Sequence, residues 1–73
     1  METIQNNGCG ALLRVLREEL GWGRRTLARQ ALVGHRYLRR VERGRESASA
    51  QWLTHVTGVM CSEMVKRALA ARS

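Results

Sequence analysis

Residues 24–45 read RRTLARQALVGHRYLRRVERGR, and the reading of this stretch decides that of the chain. It holds eight of the protein's 13 Lys and Arg residues and a single acid, Glu42. Its apolar positions, Leu27, Ala28 and Ala31, then Leu38 and Val41, have the three- and four-residue spacing of two short helices. The spacing predicts helices over 24–31 and 35–43, with Leu32-Val33-Gly34 as the turn and Gly44 as the stop. A small domain that loads this much positive charge onto one helix pair is suited to a polyanionic partner.

Working outward, Leu13, Leu16 and Leu20 fall at i, i+3 and i+7 and predict a helix over 11–20, with Leu12 widening the apolar stripe. Gly21 stops it by allowing a positive φ, and Trp22 leads into the next helix. Beyond the basic stretch, 45–48 reads as a loop and Ser49 as the N-cap of a fourth helix over 50–57. Its inward residues are Leu53 and Val56, with Met60 just beyond. Gly58 is expected to break or cap this helix. Ser62 is then expected to cap a fifth helix over 63–71, with Met64, Val65, Ala68 and Leu69 as an apolar stripe. Residues 1–10 are polar and contain glycine, and are expected to form a flexible N-terminal tail. The expected fold is therefore all-α, a compact bundle of five short helices. One domain spans 11–73 and ends in a C-terminal helix.

The chain has 73 residues, a net charge of +7 and no proline. A chain of this length buries a modest core, so association with a second copy would help its stability. Twelve of the 13 basic residues are arginine, the side chain suited to forked hydrogen bonding with phosphate and guanine. Cys9 and Cys61 form no CxxC pattern and read as reduced thiols, with a disulfide between them as the minor alternative. No apolar run approaches the ~20 residues of a membrane span, and the N-terminus does not read as a signal peptide. A cytoplasmic location with no membrane partner is expected. The two histidines, His35 and His55, form no constellation of nucleophile, base and orienter with the few acids, so no enzyme activity is expected. Neither cofactor nor metal is expected, because the spacing of two Cys and two His matches no ligand motif.

Several of these residues occur in one register. They are Leu13-Arg14-x-Leu16-Arg17 and Leu20-Gly21, then Leu27-Ala28, Val33, Leu38, Val41-Glu42-x-Gly44, Leu53, Val56 and Met60. This pattern resembles the phage-repressor and Cro-type (XRE-like) helix-turn-helix family, over about 13–60. The resemblance implies a lambda-repressor-like fold that binds double-stranded DNA with helix 35–43 in the major groove. By position it implies base-reading roles for His35, Arg36, Arg39 and Arg40, hence a GC-containing half-site. It implies phosphate contacts for Arg24, Tyr37, Arg43 and Arg45, with a thymine methyl as an alternative for Tyr37. It also implies an ion pair between Arg17 and Glu42. Five positions depart from the family pattern. Leu32 replaces the usual turn glycine, Gly23 and Gly34 replace Ser or Thr caps, Arg24 replaces glutamine, and Ala48 replaces proline. A left-handed leucine at the turn would cost on the order of 1 kcal/mol.

The function expected on these grounds is a sequence-specific DNA-binding transcriptional regulator of bacterial or phage type. A small dimeric repressor reading a palindromic operator is the simplest form. Trp52, Met64, Val65, Ala68 and Leu69 are the candidate dimer surface, with Trp52 covering the fifth helix within one monomer as the equal alternative. The competing function is a protein-binding module on the same fold, such as an antitoxin or a phage-encoded antagonist of a host protein.

Overall fold

The computed structural model describes residues 6–72, in four helices rather than five. They are α1 (Asn6–Glu19), α2 (Arg24–Ala31), α3 (His35–Glu42) and α4 (Ala50–Arg72). The core joins all four elements through Leu13, Leu20, Leu27, Ala28, Ala31, Leu38, Val41, Val56 and Met60, together with Ala48 from the loop before α4. Leu16, Trp22, Val33, Leu53 and Met64 pack around its edge. Among the described residues every buried side-chain N or O atom has a hydrogen-bond partner.

α1 is helical from Asn6, five residues before the expected start, so 6–10 are helical and not a tail; 1–5 lie outside the described residues. The reason is tertiary. Gly10, Leu13, Arg17 and Leu20 share one buried face, and Gly10 lies directly on the end of α3. A Cβ added at Gly10 would overlap the Val41 carbonyl oxygen and come within 3.2 Å of the Glu42 Cα. Glycine in a helix is unfavourable by about 1 kcal/mol against alanine, and here it permits the backbones to touch. Leu12 does not widen the apolar stripe; it is exposed, and Arg17 takes the buried position instead.

α4 is one continuous helix of 23 residues, which corrects the expected break at Gly58 and the cap at Ser62. Gly58 faces open space, while Val56 and Met60 on either side of it are buried on the same face. Two core anchors four residues apart outweigh a propensity penalty of about 1 kcal/mol. Ser49 caps the start as expected, accepting the Trp52 N–H at its Oγ (3.0 Å). α4 then supplies side chains to the ends of two other helices. His55 Nε2 donates to the Ala31 carbonyl at the end of α2 (2.7 Å), and Arg67 Nη1 donates to the Leu20 carbonyl at the end of α1 (3.0 Å).

α1, α2 and α3 end in the same pair of backbone hydrogen bonds around a left-handed residue. Gly21 donates to Glu18 and Trp22 to Arg17; Leu32 donates to Arg29 and Val33 to Ala28; Gly44 donates to Val41 and Arg45 to Arg40. The left-handed residue is glycine twice, at Gly21 and Gly44, and leucine once, at Leu32 (φ 58°). Leu32 thus adopts the left-handed conformation that a glycine would take without strain, with its side chain 90% exposed.

Candidate nucleic-acid interface

The two faces of α3 are separated by burial. Leu38, Val41 and Glu42 point into the bundle, while Arg36, Arg39 and Arg40 are exposed. α2 holds α3 in place through Leu27, Ala28 and Ala31, and the fixed turn at Leu32 sets their angle. Arg36, Arg39, Arg40, Arg43 and Arg45 converge on one cleft of about 260 Å³. A second, open cleft is lined by Arg25, Ala28, Arg29, Val33 and His35. Arg25 and Arg29 were not among the candidate site residues. Their outward positions on α2 follow from the same helical spacing that buries Ala28.

The electrostatics of this face are those of crowded like charge. Arg39 above all, then desolvation, Arg24 and Arg45, push the Arg43 guanidinium below its ordinary value. His35 is held below the usual histidine value, first by desolvation and then by Arg25, Arg24, Arg39 and Arg36. Among the described residues no carboxylate pairs with Arg36, Arg39, Arg43 or Arg45. A polyanion placed here would relieve the repulsion at each of these groups.

Behind α3 lies a different use of arginine. Arg17 Nε donates to Glu42 Oε2 and Arg17 Nη2 to Glu42 Oε1, both at 2.8 Å. Arg17 Nη1 also donates to the Trp22 carbonyl (3.0 Å). The hydrogen bond with Glu42 raises Arg17 above the ordinary arginine value, outweighing the opposing effect of burial. Arg24 joins from the start of α2, its Nε donating to Glu42 Oε1 (3.2 Å), with its side chain 33% exposed. The expected phosphate residue Arg24 is thus tethered to the core by the acid that holds Arg17.

Tyr37, expected at a phosphate or thymine methyl, is already engaged within the chain. Its ring meets Trp52 edge-on (centroids 5.1 Å apart, planes at 80°), and its hydroxyl donates to the Ser47 carbonyl (3.3 Å). Trp52 accordingly packs on α3, which neither the dimer-surface nor the fifth-helix expectation anticipated. It lies thirteen positions before Val65, about 20 Å along the helix axis, so the two do not form one patch. Met64 is half-buried against the core, whereas Val65, Ala68 and Leu69 are exposed on the distal part of α4. Cys9 and Cys61 are free thiols, and no three His, Cys, Asp or Glu among the described residues gather as a metal site.

Comparison with known proteins agrees with this geometry. Two crystal structures of the clp gene regulator ClgR from Corynebacterium glutamicum are similar to the chain. One has a TM-score of 0.73 at 33% identity, covering 82% of this chain and 77% of that one. The other has a TM-score of 0.67 at 28% identity, covering 97% and 92%. No curated protein sequence matches. Residues 9–56, well over half of the chain, match the profile described as helix-turn-helix domain. With α2, the Leu32 turn and α3 in this arrangement, the chain belongs to the helix-turn-helix domain family.

Proposed function

We propose that this protein is a transcription regulator that binds double-stranded DNA in a sequence-specific manner. The observation that carries this reading is the exposed face of α3, where five arginines converge on one cleft and, among the described residues, only Arg40 pairs with a carboxylate. With α3 in the major groove, His35, Arg36, Arg39 and Arg40 are the base-reading residues. A guanidinium forked onto guanine O6 and N7 contributes ~1–3 kcal/mol of discrimination, which gives a GC-containing half-site. Arg24, Arg43 and Arg45 bind phosphates and supply affinity without sequence preference. The Tyr37 ring serves to hold the loop after α3.

The regulator acts as a homodimer and represses at a palindromic operator. The distal part of α4 presents Val65, Ala68 and Leu69 as an apolar strip beyond the core residue Met60. A second copy across this strip would cover apolar surface that the four described helices leave exposed. A two-fold axis then sets the recognition helices about 34 Å apart, one turn of DNA. Among the described residues no helix is long and apolar enough to cross a membrane. A protein partner in addition would meet Leu32, an apolar side chain 90% exposed at the tip of the turn.

Selection of bound sites from a random duplex pool at low and moderate salt tests the proposal. A GC-containing palindrome with half-sites one turn apart is the expected result. Salt-sensitive binding without a recovered motif would leave the arginines as phosphate contacts only. In a site-selected duplex, Arg36→Ala should flatten the preference at one base pair, and Arg43→Ala should weaken all sequences alike with a salt slope smaller by about one.

A further inference from the structure

Among the arginines of the cleft, Arg40 differs from the rest. Its Nε donates to Glu46 Oε1 at 3.1 Å, and its guanidinium carbon lies 5.9 Å from the centre of the Tyr37 ring. Tyr37 is itself fixed by the Trp52 ring and the Ser47 carbonyl, and Trp52 by the Ser49 cap. The loop from Glu46 to Ser49 is thereby stitched to both α3 and α4. Arg40 is held on one side by a carboxylate and on another by a braced aromatic face.

Glu46 needs a reason. It places a negative charge at the rim of a face that otherwise gathers positive charge. For phosphate affinity alone it is a liability, since it cancels one arginine and repels the DNA backbone. An exposed ion pair of this kind also contributes little to folding, because both partners remain hydrated. What it does supply is orientation. A carboxylate on Nε restricts the guanidinium plane before any ligand arrives and leaves the terminal amino groups for a planar, two-acceptor partner. Guanine in the major groove presents such an edge in O6 and N7.

We infer that Glu46 is a positioning residue for base recognition: its carboxylate orients Arg40 toward one guanine, and its charge suppresses binding to duplexes that lack it. This rests on the DNA-binding reading above. Discrimination then comes from both sides. The correct site gains an arginine whose rotamers are already restricted, which offsets the repulsion between the nearby carboxylate and its phosphates; every other site meets the same repulsion without that gain.

The test uses the full chain and the duplex recovered by site selection, with each base pair of one half-site replaced in turn, and a random duplex for comparison. Binding is measured by fluorescence anisotropy at two salt concentrations for the parent chain, Glu46→Gln, Arg40→Ala and the double variant. Glu46→Gln should raise affinity for the random duplex about 3–10-fold at the lower salt. It should lower discrimination about 5–10-fold at one base pair, the same pair whose preference Arg40→Ala abolishes. In the Arg40→Ala background, Glu46→Gln should still raise affinity for the random duplex but change discrimination by less than about 2-fold, since the oriented group is gone. Unchanged discrimination in Glu46→Gln overturns the inference, as does a change at base pairs insensitive to Arg40→Ala. A purely structural role for Glu46 would instead lower affinity for all duplexes together. A parent chain that selects no duplex overturns the inference and the DNA reading alike, a different result from a parent chain that selects normally while Glu46→Gln selects as it does.

Discussion

Glu42 and Glu46 lie four residues apart at the end of α3, and each binds arginine, yet the two regions differ in almost every physical respect. Glu42 is within the bundle, its side chain 1% exposed, and accepts hydrogen bonds from Arg17 and Arg24. Glu46 is on the rim, its side chain 39% exposed, facing an Arg40 that is 50% exposed. In the first region water has been removed, so loss of either partner leaves a charge with nothing to replace it. In the second, water competes throughout, and the same pair of groups directs an arginine without supporting the fold. Burial, rather than residue type, separates the residues that hold the helix-turn-helix together from those that present it to a ligand.

The comparison is broken or sharpened most directly by treating the two acids alike. In denaturant unfolding, Glu42→Gln should cost about 3–5 kcal/mol and Glu46→Gln less than about 1 kcal/mol. Equal costs would remove the distinction. Next in size is Gly10→Ala, which acts on the same buried end of α3 without touching a charge. Overlap with the Val41 carbonyl should cost about 3 kcal/mol, offset by about 1 kcal/mol of helix propensity, for a net loss of about 2 kcal/mol. A stabilised Gly10→Ala would show that α1 and α3 do not meet as closely as the backbone places them.

Leu32→Gly, at the turn between the two recognition elements, should stabilise the fold by about 1 kcal/mol, because the residue is left-handed and almost fully exposed. No gain would mean that the Leu32 side chain is held by something in solution, as a protein partner or second copy would hold it.

The smallest effect concerns the exposed region alone. Desolvation and neighbouring arginines depress the His35 value in the folded chain, so its neutral form is the one favoured by folding. The associated stability is present above the ordinary histidine value and is lost as pH falls through the depressed one. DNA phosphates have the opposite preference, for the imidazolium. Between about pH 7.5 and 5.5, acidification should therefore slightly lower the melting temperature of the free chain while tightening DNA binding. A His35→Gln chain should lose both slopes; persistence of the binding slope would assign it to another group.

Much of this is legible in the sequence. The helices of the basic stretch are, because Leu27, Ala28, Ala31, Leu38 and Val41 repeat at helical spacing and leave the arginines on the opposite side. The Arg17–Glu42 pairing was implied by the family resemblance and lies at the centre of the structure. The start of α1 was not legible, because Gly10 reads locally as a boundary, and only the Val41 carbonyl on another helix explains a glycine there. Nor was the continuity of α4, where Gly58 carries a break signal that buried Val56 and Met60 override. The Arg40–Glu46 and Tyr37–Trp52 contacts were hidden for a related reason: each crosses a helix end, beyond which no periodicity relates two residues.

The sequence by itself determined the helix pair, the inward apolar face and the excess of arginine on α3, since these depend on spacing and residue type along one segment. Only the tertiary structure decided which arginine is tethered to the core, which is oriented from the rim and which remain without a carboxylate partner. A charged side chain takes its role from the water and the neighbours left around it, and those are set by how separate segments pack.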